Sequence, residues 1–358
     1  MALQTSLPQD APSTTAKPSK ALIIEHATNE IVFAVVGHVG SGTSTIATTL
    51  RGLLENPALP GGKYEVGILK ARGIIEDWAN RNGEPIPSTP SNDLATTTGF
   101  QDLGDKMRSG GDWAIVARHF VDRIRLTRAE KLGISNPGED AIAPDGVRRA
   151  YILDSIRHPA EVELLRRVYQ DAFVLVGVVC EAKVRQSRIV NKYTNAGAAD
   201  AEKFMARDAR AIEKYGQRVS DAFHMADFFV DNTADQFLDD DDREPNPDWD
   251  ISDNLSRLIR IMTVADVVRP TVSETAMHDA YGASLQSACL SRQVGAALLD
   301  ASGNIVATGT NEVPRAGGGV YGESFQANVD DHRCVFQKSE KYGPLVFERD
   351  KRVSFAKD

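Results

Sequence analysis

The sequence predicts an α/β protein: a parallel-sheet domain followed by a smaller, partial α/β domain. Three observations predict it. Short apolar runs alternate with amphipathic stretches, as in a sheet whose strands are joined by crossover helices. A glycine-rich turn stands between the first run and the first helical pattern. Further on, Leu238-Asp-Asp-Asp-Asp-Arg-Glu-Pro-Asn-Pro-Asp-Trp-Asp250 crowds carboxylates and prolines that oppose both helix and sheet, and it marks a boundary.

The elements follow in order. Residues 1–27 mix small and polar side chains with too little apolar content to offset their ordering entropy, and are expected to form a disordered tail. Buried strands are expected at Ile31–Val36, Val66–Leu69, Tyr151–Leu153, Phe173–Val179 and Phe228–Val230. Ile46, Leu50, Leu53 and Leu54 share one helical face, and Trp113, Val116, Phe120 and Ile124 form a second stripe after Asp112. Past the acidic stretch, Thr271-Val-Ser-Glu274 reads as a capping box opening a helix toward Cys289. Val294–Asp300 and Ile305–Thr310 flank Ala301-Ser-Gly-Asn304, a turn composition that predicts a hairpin. The expected organisation is a first domain over 28–235, a linker over 236–255 and a second domain over 256–358.

Composition narrows the function. With 358 residues the chain has room for about two domains. No apolar run reaches the ~18 residues of a membrane span, so the expected location is the cytoplasm. The net charge of −9, from 41 basic and 50 acidic side chains, argues against broad non-specific nucleic-acid binding. Three cysteines without a C-x-x-C pair give no disulfide framework.

The first functional constellation follows the first strand. Gly37-His-Val-Gly40-Ser41-Gly42-Thr43-Ser44 has the spacing of a P-loop, whose glycines let successive N–H groups turn toward a phosphate at a helix N-terminus. Threonine stands at position 43 where that pattern has lysine, so backbone donors and the Ser44 hydroxyl are kept while an ammonium is lost. Binding of a nucleoside phosphate survives this change better than phosphoryl transfer does. A merely tight strand-to-helix turn is the plainer explanation of the same residues. Asp154 closes the apolar run Tyr151-Ile-Leu and resembles the carboxylate that helps hold Mg²⁺ beside a nucleoside triphosphate, although strands often end in aspartate. Lys183, Arg185, Arg188 and Lys192 resemble the basic lid of nucleotide kinases, and a solvated helix face accounts for them equally. Together residues 28–235 resemble a P-loop nucleotide-kinase fold.

The second constellation spans residues 277–314. Ser287-Ala-Cys289-Leu-Ser-Arg292-Gln-Val-Gly295-Ala296 and Thr308-Gly309-Thr-Asn311-Glu-Val-Pro314 are similar to the opening of deoxycytidylate deaminases. The resemblance implies that Asn311 contacts a substrate sugar and that Arg292 holds phosphate; a turn-stabilising Asn311, a plain surface Arg292 and a core Cys289 are the alternatives. The order of the two parts resembles bacterial antiviral deoxycytidine-nucleotide deaminases over most of residues 28–323. That resemblance implies zinc-dependent hydrolysis of dCTP or dCMP, a homo-oligomer formed through the second domain, and an inhibitory small RNA as partner.

The residues needed for that chemistry are missing. Zinc deaminases carry H-x-E and P-C-x-x-C, and neither occurs. His278 precedes Asp279-Ala280, His158-Pro-Ala-Glu161 has a longer spacing, and His332-Arg-Cys334 lacks a second cysteine. No catalytic or metal-ligating residue is therefore assigned, and the chain is expected to be inactive alone. It reads as the front portion of a longer deaminase or as a P-loop protein that keeps a deaminase stub. The alternative functions are a nucleotide-kinase-like P-loop protein and a non-enzymatic nucleotide sensor or subunit.

Overall fold

The computed structural model describes residues 29–87, 93–193, 196–239, 243–263, 267–290, 292–315 and 318–322. The tail expected over 1–27 thus falls outside the described residues except as sequence, as does His332-Arg-Cys334. The chain divides into two compact units between Asp266 and Val267.

Five parallel strands form the sheet of the first unit: β1 Glu30–Val36, β2 Glu65–Lys70, β3 Arg149–Ile156, β4 Phe173–Val179 and β5 Phe228–Asp231, in the order β2-β3-β1-β4-β5. Alternation along β1 shows why both faces are covered. Ile31, Phe33 and Val35 enter one buried cluster, while Val32, Ala34 and Val36 enter the other. Against the first cluster pack α1 Thr43–Leu54, through Ile46, Leu50 and Leu54, and α9 Ile251–Thr263. The opposite face is covered by α2 Ala71–Asn82, α3 Leu94–Ser109, α4 Ile115–Lys131, α5 Pro159–Tyr169 and α8 Val219–Phe223. Two further helices, α6 Ala182–Lys192 and α7 Ala198–Ala209, pack on each other through Ile189, Ala201 and Phe204.

Two local readings change. Trp113 is 40% exposed and precedes α4, because Asp112 caps the amide of Ala114 and the helix starts only at Ile115. The acidic stretch is not wholly linker. Phe237–Asp239 (β6) pairs with Glu244–Pro245 (β7), and α9 begins within the boundary expected over 236–255. Ile251, Leu255, Leu258 and Ile259 lie on one face of α9 and are buried with Leu50 and Leu54, so apolar burial attaches this helix to the first unit.

The second unit contains α10 Val272–Ser284 and the antiparallel pair β8 Gly295–Leu299 and β9 Ile305–Thr310. Thr271 and Glu274 exchange capping-box hydrogen bonds at 3.1 and 2.7 Å. Ala276, Ala280, Ala283 and Ser284 form the buried side of α10, which ends five residues before Cys289.

Candidate functional site: a glycine loop pinned by three distant side chains

Residues Val36 to Thr43 carry the chain from the end of β1 into α1. Gly40 has φ +82° and Gly42 φ +87°, left-handed values that side chains with a Cβ adopt at a cost. At Gly42 space is also lacking, since a Cβ would stand 2.2 Å from Asn232 Nδ2. Gly42 is the N-cap of α1 and has no side chain to cap it; its carbonyl accepts from the Thr45 and Ile46 amides at 2.9 and 3.2 Å.

Side chains distant in sequence hold this path. Arg157, just after β3, donates to the Gly37 carbonyl at 3.3 Å. Asp208, at the end of α7, accepts from the Val39 amide at 2.8 Å and from Arg157 at 2.7 Å. Asn232, just after β5, donates to the Ser41 carbonyl at 2.7 Å and accepts from Trp249 Nε1 at 3.1 Å. Asp208 and Asn232 are 1% and 5% exposed, so these are interior contacts. Burial raises the Asp208 carboxyl above its usual value, with the Arg157 guanidinium opposing.

At the head of α1, Ser44 donates its hydroxyl proton to Asp154 Oδ2 at 2.7 Å. The strand-end carboxylate and the helix-start hydroxyl therefore meet across 110 residues of sequence. Both are hard oxygen groups of the kind that share a Mg²⁺ ion with phosphate oxygens. Ser41 Oγ is buried within the loop and has no hydrogen-bond partner among the described residues. A cleft of about 540 Å³ opens beside the loop, lined among others by Gly40, Gly42, Thr43, Ser44, Asp154 and Arg157. A second cleft of about 510 Å³ shares Ser44, Lys70 and Asp154 with it.

His38 belongs to the same loop. Burial, reinforced by Arg185, Arg157 and His224, holds its imidazole down at about 4, and its Nε2 lies 2.9 Å from Ser220 Oγ. Arg188 is committed to the carbonyls of Asn232, Thr233 and Ala234 and to Asp235, while Arg185 donates to the Cys180 carbonyl. Two of the basic residues read as a lid thus carry structural bonds. His158 caps α5, and Glu161 pairs with buried Arg108, so both members of that His/Glu spacing are taken up by structural contacts.

The structure brings Gly37, Gly40, Ser41, Gly42, Thr43, Ser44 and Asp154 together at one end of the sheet. Arg292 and Asn311 belong to the second unit. The Asn311 amide is spent on its own neighbourhood: Oδ1 accepts from Ser287 Oγ and the Val294 amide, both at 2.8 Å, and Nδ2 donates to the Arg292 carbonyl at 2.8 Å. These are the bonds that the turn-stabilising alternative calls for. Asp208 escaped the sequence reading altogether, because nothing in its local pattern marks it as a loop partner.

Comparison with known proteins redirects the functional reading. No family model matches the chain. It is similar to a "UPF0200/UPF0201 protein" of the archaeon Archaeoglobus fulgidus, 35% identical over 203 residues, which are 57% of this chain and 50% of that protein. Two UPF0200 proteins of Saccharolobus islandicus are 26% identical over 195 residues, 53% of this chain and 89% of each of them. The chain thus spans about half the length of the Archaeoglobus relative and most of the two shorter ones. These findings overturn the expected antiviral deoxycytidine-nucleotide deaminase. The relatives carry names that assign no deamination, and the described residues contain no group of three or more His, Cys, Asp or Glu able to hold a metal ion. Zinc-dependent deamination rested on that resemblance and goes with it, and the homo-oligomer and the inhibitory RNA lose the resemblance that implied them. No helix among the described residues is long and apolar enough to cross a membrane.

Proposed function

We propose that the first unit is a nucleotide-kinase-like P-loop protein that binds a nucleoside phosphate together with Mg²⁺. The observation that carries this reading is the 2.7 Å bond between Ser44 and Asp154 at the head of the glycine loop. A loop of the form G-x-x-x-x-G-T-S at the end of a central parallel strand, opening directly into a helix, supports it. In this reading the N–H groups of Gly40, Gly42, Thr43 and Ser44 face the phosphates, the Ser41 N–H being donated to the His38 carbonyl at 3.0 Å, and Ser44 and Asp154 hold the metal ion. The bound ion would neutralise phosphate charge, while the protein's own share is to orient the phosphates and keep the loop in shape. Thr43 at the lysine position favours binding without efficient turnover, the behaviour of a sensor.

Calorimetric titration with nucleoside mono-, di- and triphosphates, with and without Mg²⁺, tests the reading. Binding is expected to strengthen with Mg²⁺ and to weaken in Ser44→Ala and Asp154→Asn. No heat from any nucleotide, or binding indifferent to both substitutions, would sink it. Sustained triphosphate turnover would keep the site but discard the sensor.

A further inference from the structure

The loop lacks its own cation, and most cations around the main cleft are already engaged. Arg157 serves Asp208 and Gly37, Arg188 serves the segment after β5, and Arg72 bonds Glu76 and lies over the Phe100 ring at 4.1 Å. Lys192 sits 5.2 Å from the centre of the Tyr193 ring. Lys70 differs from all of these: its ammonium makes no hydrogen bond, ion pair or ring contact among the described residues, and it borders both clefts.

Its place in the sheet decides what it can reach. Lys70 is the last residue of β2 and stands in register beside Asp154 on β3. Adjacent strands lie about 4.8 Å apart, a gap that the four-carbon stem of lysine spans easily. Asp154 in turn bonds Ser44, so the Lys70 ammonium is within reach of whatever Ser44 and Asp154 hold. Lys70 is also the N-cap of α2, in an extended conformation with no side-chain cap.

We infer that Lys70 supplies, from the neighbouring strand, the phosphate-binding ammonium that Thr43 cannot. The ligand it takes is the terminal phosphate of a polyphosphate chain seated on Gly37–Ser44. This inference rests on the nucleotide reading above. A lysine arriving from β2 adds a requirement that a loop lysine does not: the phosphate chain must be long enough to reach past Ser44 toward the β2 edge. Selectivity for longer phosphate chains follows.

The test uses the full chain with Mg²⁺ and three base-free probes: inorganic tripolyphosphate, pyrophosphate and orthophosphate. Lys70→Ala is expected to weaken tripolyphosphate by about 10- to 100-fold, the range for one charge-assisted bond, and orthophosphate little. Adding Thr43→Lys to Lys70→Ala should restore most of the lost affinity, because the charge then returns from the loop itself. Lys70 is exposed, so an unchanged melting temperature verifies the fold of the variant. Two results would overturn the inference while leaving the nucleotide site standing. One is a Lys70→Ala protein that binds tripolyphosphate like the wild type while Ser44→Ala does not. The other is a charge-dependent loss that follows Lys192→Ala instead. If the wild type binds neither tripolyphosphate nor any nucleoside triphosphate, the site reading fails and the inference falls with it.

Discussion

Gly42→Ala is the substitution whose effect the structure specifies most fully. Two penalties arise at one atom. The backbone at φ +87° and ψ 34° is left-handed, where a residue with a Cβ loses about 1–2 kcal/mol. The new Cβ would also stand 2.2 Å from Asn232 Nδ2, which donates to the Ser41 carbonyl while Oδ1 of the same amide accepts from Trp249. Asn232 must move, and losing its bond leaves the Ser41 carbonyl without that donor, a loss of about 1–3 kcal/mol. The expected destabilisation is therefore about 2–5 kcal/mol. Urea denaturation of Gly42→Ala, Asn232→Ala and the double variant separates the two penalties. Since the first substitution already breaks the Asn232–Ser41 bond, the second should add only what the Trp249 bond contributes. The double variant is thus expected to fall short of the sum by at least about 1 kcal/mol. Strict additivity, or a Gly42→Ala loss below about 1 kcal/mol, would refute the argument.

Other consequences are simpler to state. Arg108 and Glu161 are 2% and 0% exposed, so Arg108→Met strands a buried carboxylate and should cost about 3–5 kcal/mol, part of it recovered when Glu161→Gln is added; equal stability of the single and double variants would contradict this. For His38 the folded value of about 4 lies below the unfolded 6.5. The unfolded chain therefore binds the proton first, and stability present above pH 6.5 is lost as pH falls toward 4. His38→Gln should flatten the melting-temperature curve across that window; an unchanged slope would remove His38 as its cause. In the second unit, Asn311→Ala deletes three hydrogen bonds and should speed hydrogen exchange at the Val294 amide, whose acceptor it removes.

The sheet was legible because its signal is local. Each strand expected for this sheet falls inside β1 to β5, since parallel strands are continuous apolar runs, but only β1, β3 and β4 are buried along most of their length, the edge strands β2 and β5 being partly exposed. The first helix and the capping box announce themselves by spacing of the same short range. The acidic segment shows the limit of that approach. Its charge and prolines drew attention from Ile251, Leu255, Leu258 and Ile259, whose helical spacing was equally present but whose partner, α1, lies about 200 positions earlier in the sequence. Asn311 shows another limit: its hydrogen bonds to Ser287, Arg292 and Val294 are made across 17 to 24 residues of sequence, and no local spacing announces them.

The glycine loop combines both situations. Its spacing is visible in eight consecutive residues, but what fixes its shape is not. Val35, Val36 and Val39 each enter a different buried cluster: Val35 with α1 and α9, Val36 with the opposite helical layer, and Val39 with Ile189 and Phe204 of α6 and α7. Burial on three sides sets where the chain can run, and Arg157, Asp208 and Asn232 then fix its peptide groups. A lysine at position 43 contributes to none of these contacts. The loop can therefore exchange lysine for threonine without losing its conformation, and the phosphate charge becomes a separate requirement that a residue on another strand is free to meet. Asp208 also joins the loop amide of Val39 to the last turn of α7, so movement of the α6–α7 pair cannot leave the loop undisturbed. Whatever occupies the loop is coupled to that helix pair through one carboxylate, which makes Asp208 the residue where loop shape and helix position are set together.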